Sequence, residues 1–299
     1  MATKISFEDQ ITKNKIKSIV LMSSVIVFLI IIGYIVALIF DPSYFFIIMI
    51  ISIIFSLSYT LISYYNSDKI ALASVRAKPA SPTHHRTFYN ATENMSIASG
   101  MPMPRLYVMQ SNEINAFASG RDPKHAIICM TTGALEKLSK DELEGVIAHE
   151  MSHIANYDIR FMTLTAIMIG MISIIAELFL RSLWFSHNDD RGGKAQVFLI
   201  LAGVILSILA PIAAQLISLA ISRKREFLAD ATGVKFTRYP RGLSSALNKI
   251  KHEHVSKQDA HAFNKAVAAL CIANPFKKVS GLFMTHPPIE ERIRRLEAM

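Results

Sequence analysis

Four long apolar blocks set the pattern of the chain, at 18–40, 44–64, 162–180 and 197–221. The first, Ser18 to Phe40, runs 23 residues without a charge. At about 1.5 Å of rise per residue, a helix of that length crosses a hydrocarbon core about 30 Å thick with some tilt. Asp41-Pro42-Ser43 then makes a tight turn, and Tyr44 to Tyr64 follows at once. A cleaved signal peptide has a shorter apolar run and a small-residue cleavage site, so this pair predicts a retained transmembrane hairpin. The blocks at 162–180 and 197–221 predict a second hairpin.

Between the blocks lie two polar segments with shorter periods, 65–161 and 223–299. His85 to Ser99 predicts an amphipathic helix with Phe88, Ala91 and Met95 on one face, stopped by Gly100, Pro102 and Pro104. Arg105–Gln110 predicts a strand, and Ala116–Ser119 with Ala126–Thr131 predicts a hairpin turning at Gly120–Lys124. Ser139-Lys-Asp-Glu142 is a capping box, opening a helix whose apolar side carries Leu143, Val146, Ile147 and Met151. Residues after Ser222 read as helical, and Pro287-Pro288 opens a short last helix. The fold class expected is mainly α with a small β-sheet (α+β): four transmembrane helices and one polar domain assembled from two segments.

Composition agrees with membrane residence: 52% hydrophobic, 18% charged, mean hydropathy +0.34 over 299 residues. Disordered, collagenous and disulfide-rich classes are excluded. The net charge of +9 invites a nucleic-acid partner, but the excess flanks the apolar blocks, as expected beside anionic lipid. No nucleic-acid partner is expected. Lys4, Lys13, Lys15 and Lys17 precede the first span; ten Lys/Arg lie in 65–161, three in 181–195 and fifteen in 223–299. The positive-inside rule therefore puts the N-terminus and both polar segments on the cytoplasmic side of a multi-pass cell-membrane protein. Cys129 and Cys271 have no CxxC partner and read as free thiols or small apolar side chains.

The chemistry sits in the capped helix, as Ala148-His149-Glu150-Met151-Ser152-His153. Histidines at i and i+4 share one helical face and can bind one Zn²⁺, while Glu150 beside them is placed to take a proton from water that the metal acidifies. The plainer alternative is two helix-surface histidines in an apolar run. A third ligand decides between them, and Glu226 in Ser222-Arg-Lys-Arg-Glu226-Phe-Leu-Ala-Asp230 can reach. From His153 to Leu180 is 27 residues and from Gln196 to Glu226 is 30, limbs of about 40 and 45 Å as helix. The intervening hairpin thus returns Glu226 to the depth of the two histidines, completing three ligands with an open fourth position. Asp230, four residues on, shares the face of Glu226 and suits a carboxylate that fixes a ligand histidine's tautomer.

HExxH, a two-span hairpin and then SRKREFLADATG resemble the HtpX family of membrane-integrated zinc metalloproteases, gluzincins related to the CAAX prenyl endopeptidases. The resemblance covers nearly the whole chain, with Asn115-Ala-Phe-Ala118 and Thr285-His-Pro-Pro288 in the family's order. It implies one Zn²⁺ per subunit held by His149, His153 and Glu226, with Glu150 as general base. It also implies that Asn115, Ala116, Phe117 and Ala118 form an edge strand pairing with substrate, and that His286 stabilises the oxyanion. Arg292 is a candidate for electrostatic support. The domain organisation expected is a transmembrane hairpin (1–64), a first protease segment (65–161), a second hairpin (162–222) and a second protease segment (223–299). The expected function is endopeptidase cleavage of membrane or misfolded proteins beside the bilayer, in protein quality control under stress. A prenyl-protein endopeptidase and a non-enzymatic zinc-dependent scaffold are the alternatives. Oligomeric state is left open.

Overall fold

The computed structural model describes residues 7–37, 42–185, 223–253, 263, 267, 270–273 and 287–299. The apolar block at 197–221, residues 186–196 before it and His286 lie outside the described residues.

Helix α1 (Phe7–Ala37) and helix α2 (Phe45–Tyr65) pack against each other across a short turn that includes a single 3₁₀ turn at Pro42–Tyr44. Among the described residues these two are long and apolar enough to cross a membrane, with candidate spans Ile11–Tyr34 and Phe45–Tyr65. Helix α1 begins well before Ser18, where the expected first span began, because the polar turn carrying Asn14 continues the same helix. The outward faces of α1 and α2 are richly apolar, with Ile19, Val27, Ile31, Phe46, Ile50 and Ile54 exposed, as a lipid-facing surface requires. A short α3 (Ser67–Ser74) leads into the polar domain.

That domain is mostly helical with a small mixed sheet. Strand β1 (Lys78–Pro79), β2 (Arg105–Met109), β3 (Ala116–Ser119) and β4 (Ile127–Thr131) stand in the order β1-β2-β4-β3. The expected hairpin is β3–β4, antiparallel with Ala116 opposite Met130, and it leaves β3 at the edge. β2 lies parallel to β4, reached through the turn and β3 between them, and β1 was not expected from sequence. β4 is buried throughout, which suits a strand covered on both faces.

Helix α4 (Arg86–Ser99) buries Phe88, Ala91 and Met95 and ends at Gly100 in the left-handed conformation, φ +70°. A short α5 (Thr132–Lys137) precedes α6 (Lys140–Ala155), whose capping box forms as expected: Glu142 N–H donates to Ser139 Oγ and Ser139 N–H donates to the Glu142 carboxylate. α7 (Asp158–Phe185) begins almost at once. Beyond the undescribed stretch come α8 (Arg223–Thr237), α9 (Pro240–His252) and α10 (Ile289–Glu297). α6 sits at the centre, packed against α4, α8, α9 and the edge strand β3, so its residues 145–154 are buried all round. Gly145 is required there: a Cβ would fall 2.5 Å from the Leu243 backbone nitrogen of α9. A second apolar cluster joins α1 to α7 through Leu21, Val25 and Leu29 against Phe161, Leu164 and Met168.

Candidate metal centre

His149 and His153 stand one turn apart on α6, and the first turn of α8 brings Glu226 opposite them. One donor atom from each lies within 4.8 Å of the other two. The His149 and His153 Nε2 atoms are 3.3 Å apart, and Glu226 carboxylate oxygens stand 3.6 and 3.7 Å from them. Tetrahedral coordination with bonds of about 2.0–2.2 Å sets neighbouring donors about 3.3–3.6 Å apart, so the spacing fits zinc. All three side chains are buried.

The far nitrogen of each imidazole meets a carboxylate. His149 Nδ1 lies 3.0 Å from Asp230 Oδ1, and His153 Nδ1 lies 3.2 Å from Asp158 Oδ2. A carboxylate only accepts, so each Nδ1–H donates, and in the neutral ring each Nε2 then turns a lone pair inward. Two lone pairs and a carboxylate converging in a buried space form an acceptor-only cluster, the donor set that a divalent cation satisfies. The same negative charges that suit a cation also favour a proton on His153, which competes for the Nε2 lone pair, and push its imidazole up to about 9: burial alone would lower it, but the Asp158 hydrogen bond and the charges of Glu226, Asp158 and Glu150 outweigh that.

Glu150 is buried beside His149, His153 and Glu226, and burial lifts its carboxyl above the usual range. His149 and His153 pull it back down, Glu226 pushes it up, and the Ala118 backbone N–H donates to it. The edge strand therefore touches Glu150 directly through Ala118. Its neighbour Ala116 is engaged on the same edge: Ile272 N–H donates to Ala116 O at 2.9 Å, and Asn115 Nδ2 donates to Ala273 O at 3.0 Å. Phe117 is buried in the cluster with Ile127, Cys129 and Cys271, and the two cysteines are free thiols, both raised by burial.

Arg292 is fully buried. Its Nε and Nη2 donate to the two Asp230 oxygens at 2.9 and 2.7 Å, its Nη1 donates to Ile272 O at 3.2 Å, and its Nη2 lies 3.4 Å from the His149 ring nitrogens. Burial would raise the Asp230 carboxyl, but the Arg292 charge and the His149 hydrogen bond hold it well below the usual range. Gly233, two turns along α8 from Glu226, lets α8 approach: a Cβ there would lie 3.1 Å from the His149 backbone nitrogen.

Residues 82–299 match the profile of Peptidase family M48. The chain belongs to that family. It is 49% identical over 250 residues to a Protease HtpX homolog of Caldanaerobacter subterraneus subsp. tengcongensis, covering 82% of this chain and 83% of that protein. A Protease HtpX homolog of Dictyoglomus thermophilum is 40% identical over 295 residues, covering 98% and 95%. The crystal structure of S. mikatae Ste24p is similar at a TM-score of 0.43 and 17% identity, over 95% of this chain and 65% of that one. This M48 peptidase is a membrane-associated metalloprotease that acts on proteins.

Sequence reasoning missed Asp158. It follows His153 by five residues across a turn, a spacing no motif marks, and only the three-dimensional course of that turn aims it at the ring.

Proposed function

We propose that the protein is a membrane-integrated zinc endopeptidase that cuts membrane or misfolded proteins at the cytoplasmic face, holding one Zn²⁺ on His149, His153 and Glu226. The observation that carries the assignment is the acceptor-only convergence of those three side chains with both Nδ1 atoms held by carboxylates. Zinc at that position supplies Lewis-acid polarisation of the scissile carbonyl and lowers the pKa of water to about 7. Glu150 takes a proton from the attacking water as the water oxygen bonds to the carbonyl carbon. It returns that proton to the amine nitrogen as the C–N bond breaks. Its raised pKa suits the first of these steps, since a more basic carboxylate accepts a proton more readily.

Asp230, backed by Arg292, holds the His149 tautomer. His286 is carried as the oxyanion donor. Substrate lies extended along the β3 edge, which reads backbone more than side chains. The distribution of Lys and Arg supports the cytoplasmic side and four spans. The domain limits at 64/65, 161/162 and 222/223 belong to the same proposal.

The test is casein cleavage in detergent by wild type and Glu150→Gln, with zinc quantified in both. Cutting by wild type alone, with about one zinc per chain in each, is the expected result. Zinc in both and equal behaviour toward substrate would remove Glu150 from the reaction.

A further inference from the structure

The turn that joins the HExxH helix to α7 is clasped by the first membrane helix. Asn14 of α1, 8% exposed, donates through one amide nitrogen to Asp158 Oδ1 at 2.7 Å and to Asn156 O at 3.0 Å. Its neighbour Lys15 places its ammonium 4.6 Å from the centroid of the Tyr157 ring. Tyr157 holds φ +58°, a left-handed backbone that side-chain-bearing residues seldom adopt. Asp158 is thereby fixed at both oxygens: Oδ1 by Asn14 and by Arg225 Nε at 3.1 Å, Oδ2 by His153 Nδ1 at 3.2 Å. Three helices that are distant in sequence meet on one carboxylate, and that carboxylate orients the ring of a ligand histidine.

We infer that the first membrane helix is a working part of the metal centre, in which Asn14 is a positioning residue that holds Asp158 and, through it, His153. The inference rests on the assignment of His153 as a metal ligand. A helix serving only as an anchor needs apolar packing, which Leu21, Val25 and Leu29 already provide against α7. A buried amide aimed at the carboxylate behind His153 adds nothing to anchoring. Groups of this kind set ligand orientation, and losing one typically costs 10–100-fold in metal affinity. Asn14 stands one contact further out, so the low end, about tenfold, is expected.

The experiment measures the zinc dissociation constant of the full-length protein in detergent by chelator competition, together with the visible spectrum of its Co²⁺-substituted form. Asn14→Leu keeps the side chain's branched shape and removes the amide. Val25→Ala loosens the same helix pair without touching Asp158 and reports what a merely structural defect does. The expected result is about tenfold weaker zinc binding and altered Co²⁺ bands in Asn14→Leu, with both unchanged in Val25→Ala. Should Asn14→Leu fail to fold, Asn14→Ser, too short to bridge to Asp158, carries the same comparison. Wild-type affinity and spectrum in a folded Asn14 variant would overturn the inference, as would equal losses in Val25→Ala. His153→Ala separates the two levels. If it keeps zinc, the ligand assignment fails and the inference with it; if it loses zinc while the Asn14 variants keep it, only the inference fails.

Discussion

Arg292 and Asp230 meet as a two-point fork in the protein interior, with Nε to Oδ2 at 2.9 Å and Nη2 to Oδ1 at 2.7 Å. Neither has solvent to fall back on, and Arg292 also donates to Ile272 O. Removing one member of a buried pair typically costs about 3–5 kcal/mol, because the other is left charged and unmatched. Arg292→Ala is therefore expected to lower thermal stability sharply. Arg292→Lys keeps the charge but cannot donate a parallel fork, and should recover only part of the loss. Thermal unfolding of the three proteins in detergent checks this; a lysine variant equal to wild type would mean that charge alone matters.

Two glycines mark where helices approach α6 too closely for any side chain. At Gly145 a Cβ would sit 2.5 Å from Leu243 N and 2.8 Å from Gly242 C, both backbone atoms with no freedom to step aside. Gly145→Ala is expected to destabilise by about 1–3 kcal/mol as α9 is forced off α6. Gly233→Ala meets His149 N at 3.1 Å, a milder contact, but it pushes α8 and with it Glu226 away from the histidines. The expected pattern is a small stability loss with a clear drop in zinc affinity for Gly233→Ala, and the reverse weighting for Gly145→Ala. Denaturation and chelator competition on both variants measure it.

Glu142 does more than close the capping box. Ser245 Oγ donates to its Oε1 at 2.6 Å and Lys249 Nζ to its Oε2 at 2.6 Å, so one carboxylate ties α6 to α9. Burial would raise this carboxyl, but the bonds from Lys249, Ser245 and the Ser139 backbone and the Lys249 charge bring it below the usual value of 4.5. A depressed folded pKa contributes stability above the unfolded value and loses it as pH falls through the folded one. Glu142→Gln is expected to be about 1 kcal/mol less stable near pH 7. The gap to wild type should hold down to about pH 4.5 and close below it. Unfolding midpoints at pH 7 and pH 3.5 test the sign; a gap that widens in acid would contradict it.

How far the sequence reveals this molecule depends on how local each feature is. The α6 cap is written in four consecutive residues, and the HExxH face in five, so both are legible. The face of α4 is a period of hydrophobic residues, and Phe88, Ala91 and Met95 are buried as that period requires. Glu226 could be placed by counting residues, 27 from His153 to Leu180 and 30 from Gln196 to Glu226. By contrast, the parallel pairing of β2 with β4, the burial of Arg292 and the arrival of Asn14 at Asp158 join residues tens to more than a hundred positions apart. No local pattern encodes such pairings. Asn14 also sits in a polar turn before an apolar span, where a solvated residue is the ordinary expectation.

The edge of β3 supplies the last prediction. Ala116 O accepts from Ile272 N–H, and Asn115 steadies that contact: Nδ2 donates to Ala273 O at 3.0 Å, while Oδ1 accepts from Ala116 N–H at 3.0 Å. An extended substrate that pairs with this edge at Ala116 must compete with residues 271–273 for the same carbonyl. Asn115→Ala weakens the hold of that segment and strands buried polar groups, at a cost of about 1–3 kcal/mol in stability. Competition then predicts a lower KM for casein in Asn115→Ala, with kcat little changed, because Glu150 and its Ala118 contact are untouched. A raised KM would instead assign Asn115 a direct hold on substrate. An unchanged KM would place substrate pairing wholly beyond Ala116, toward Ala118 and Glu150, with residues 271–273 a fixed part of the sheet's edge.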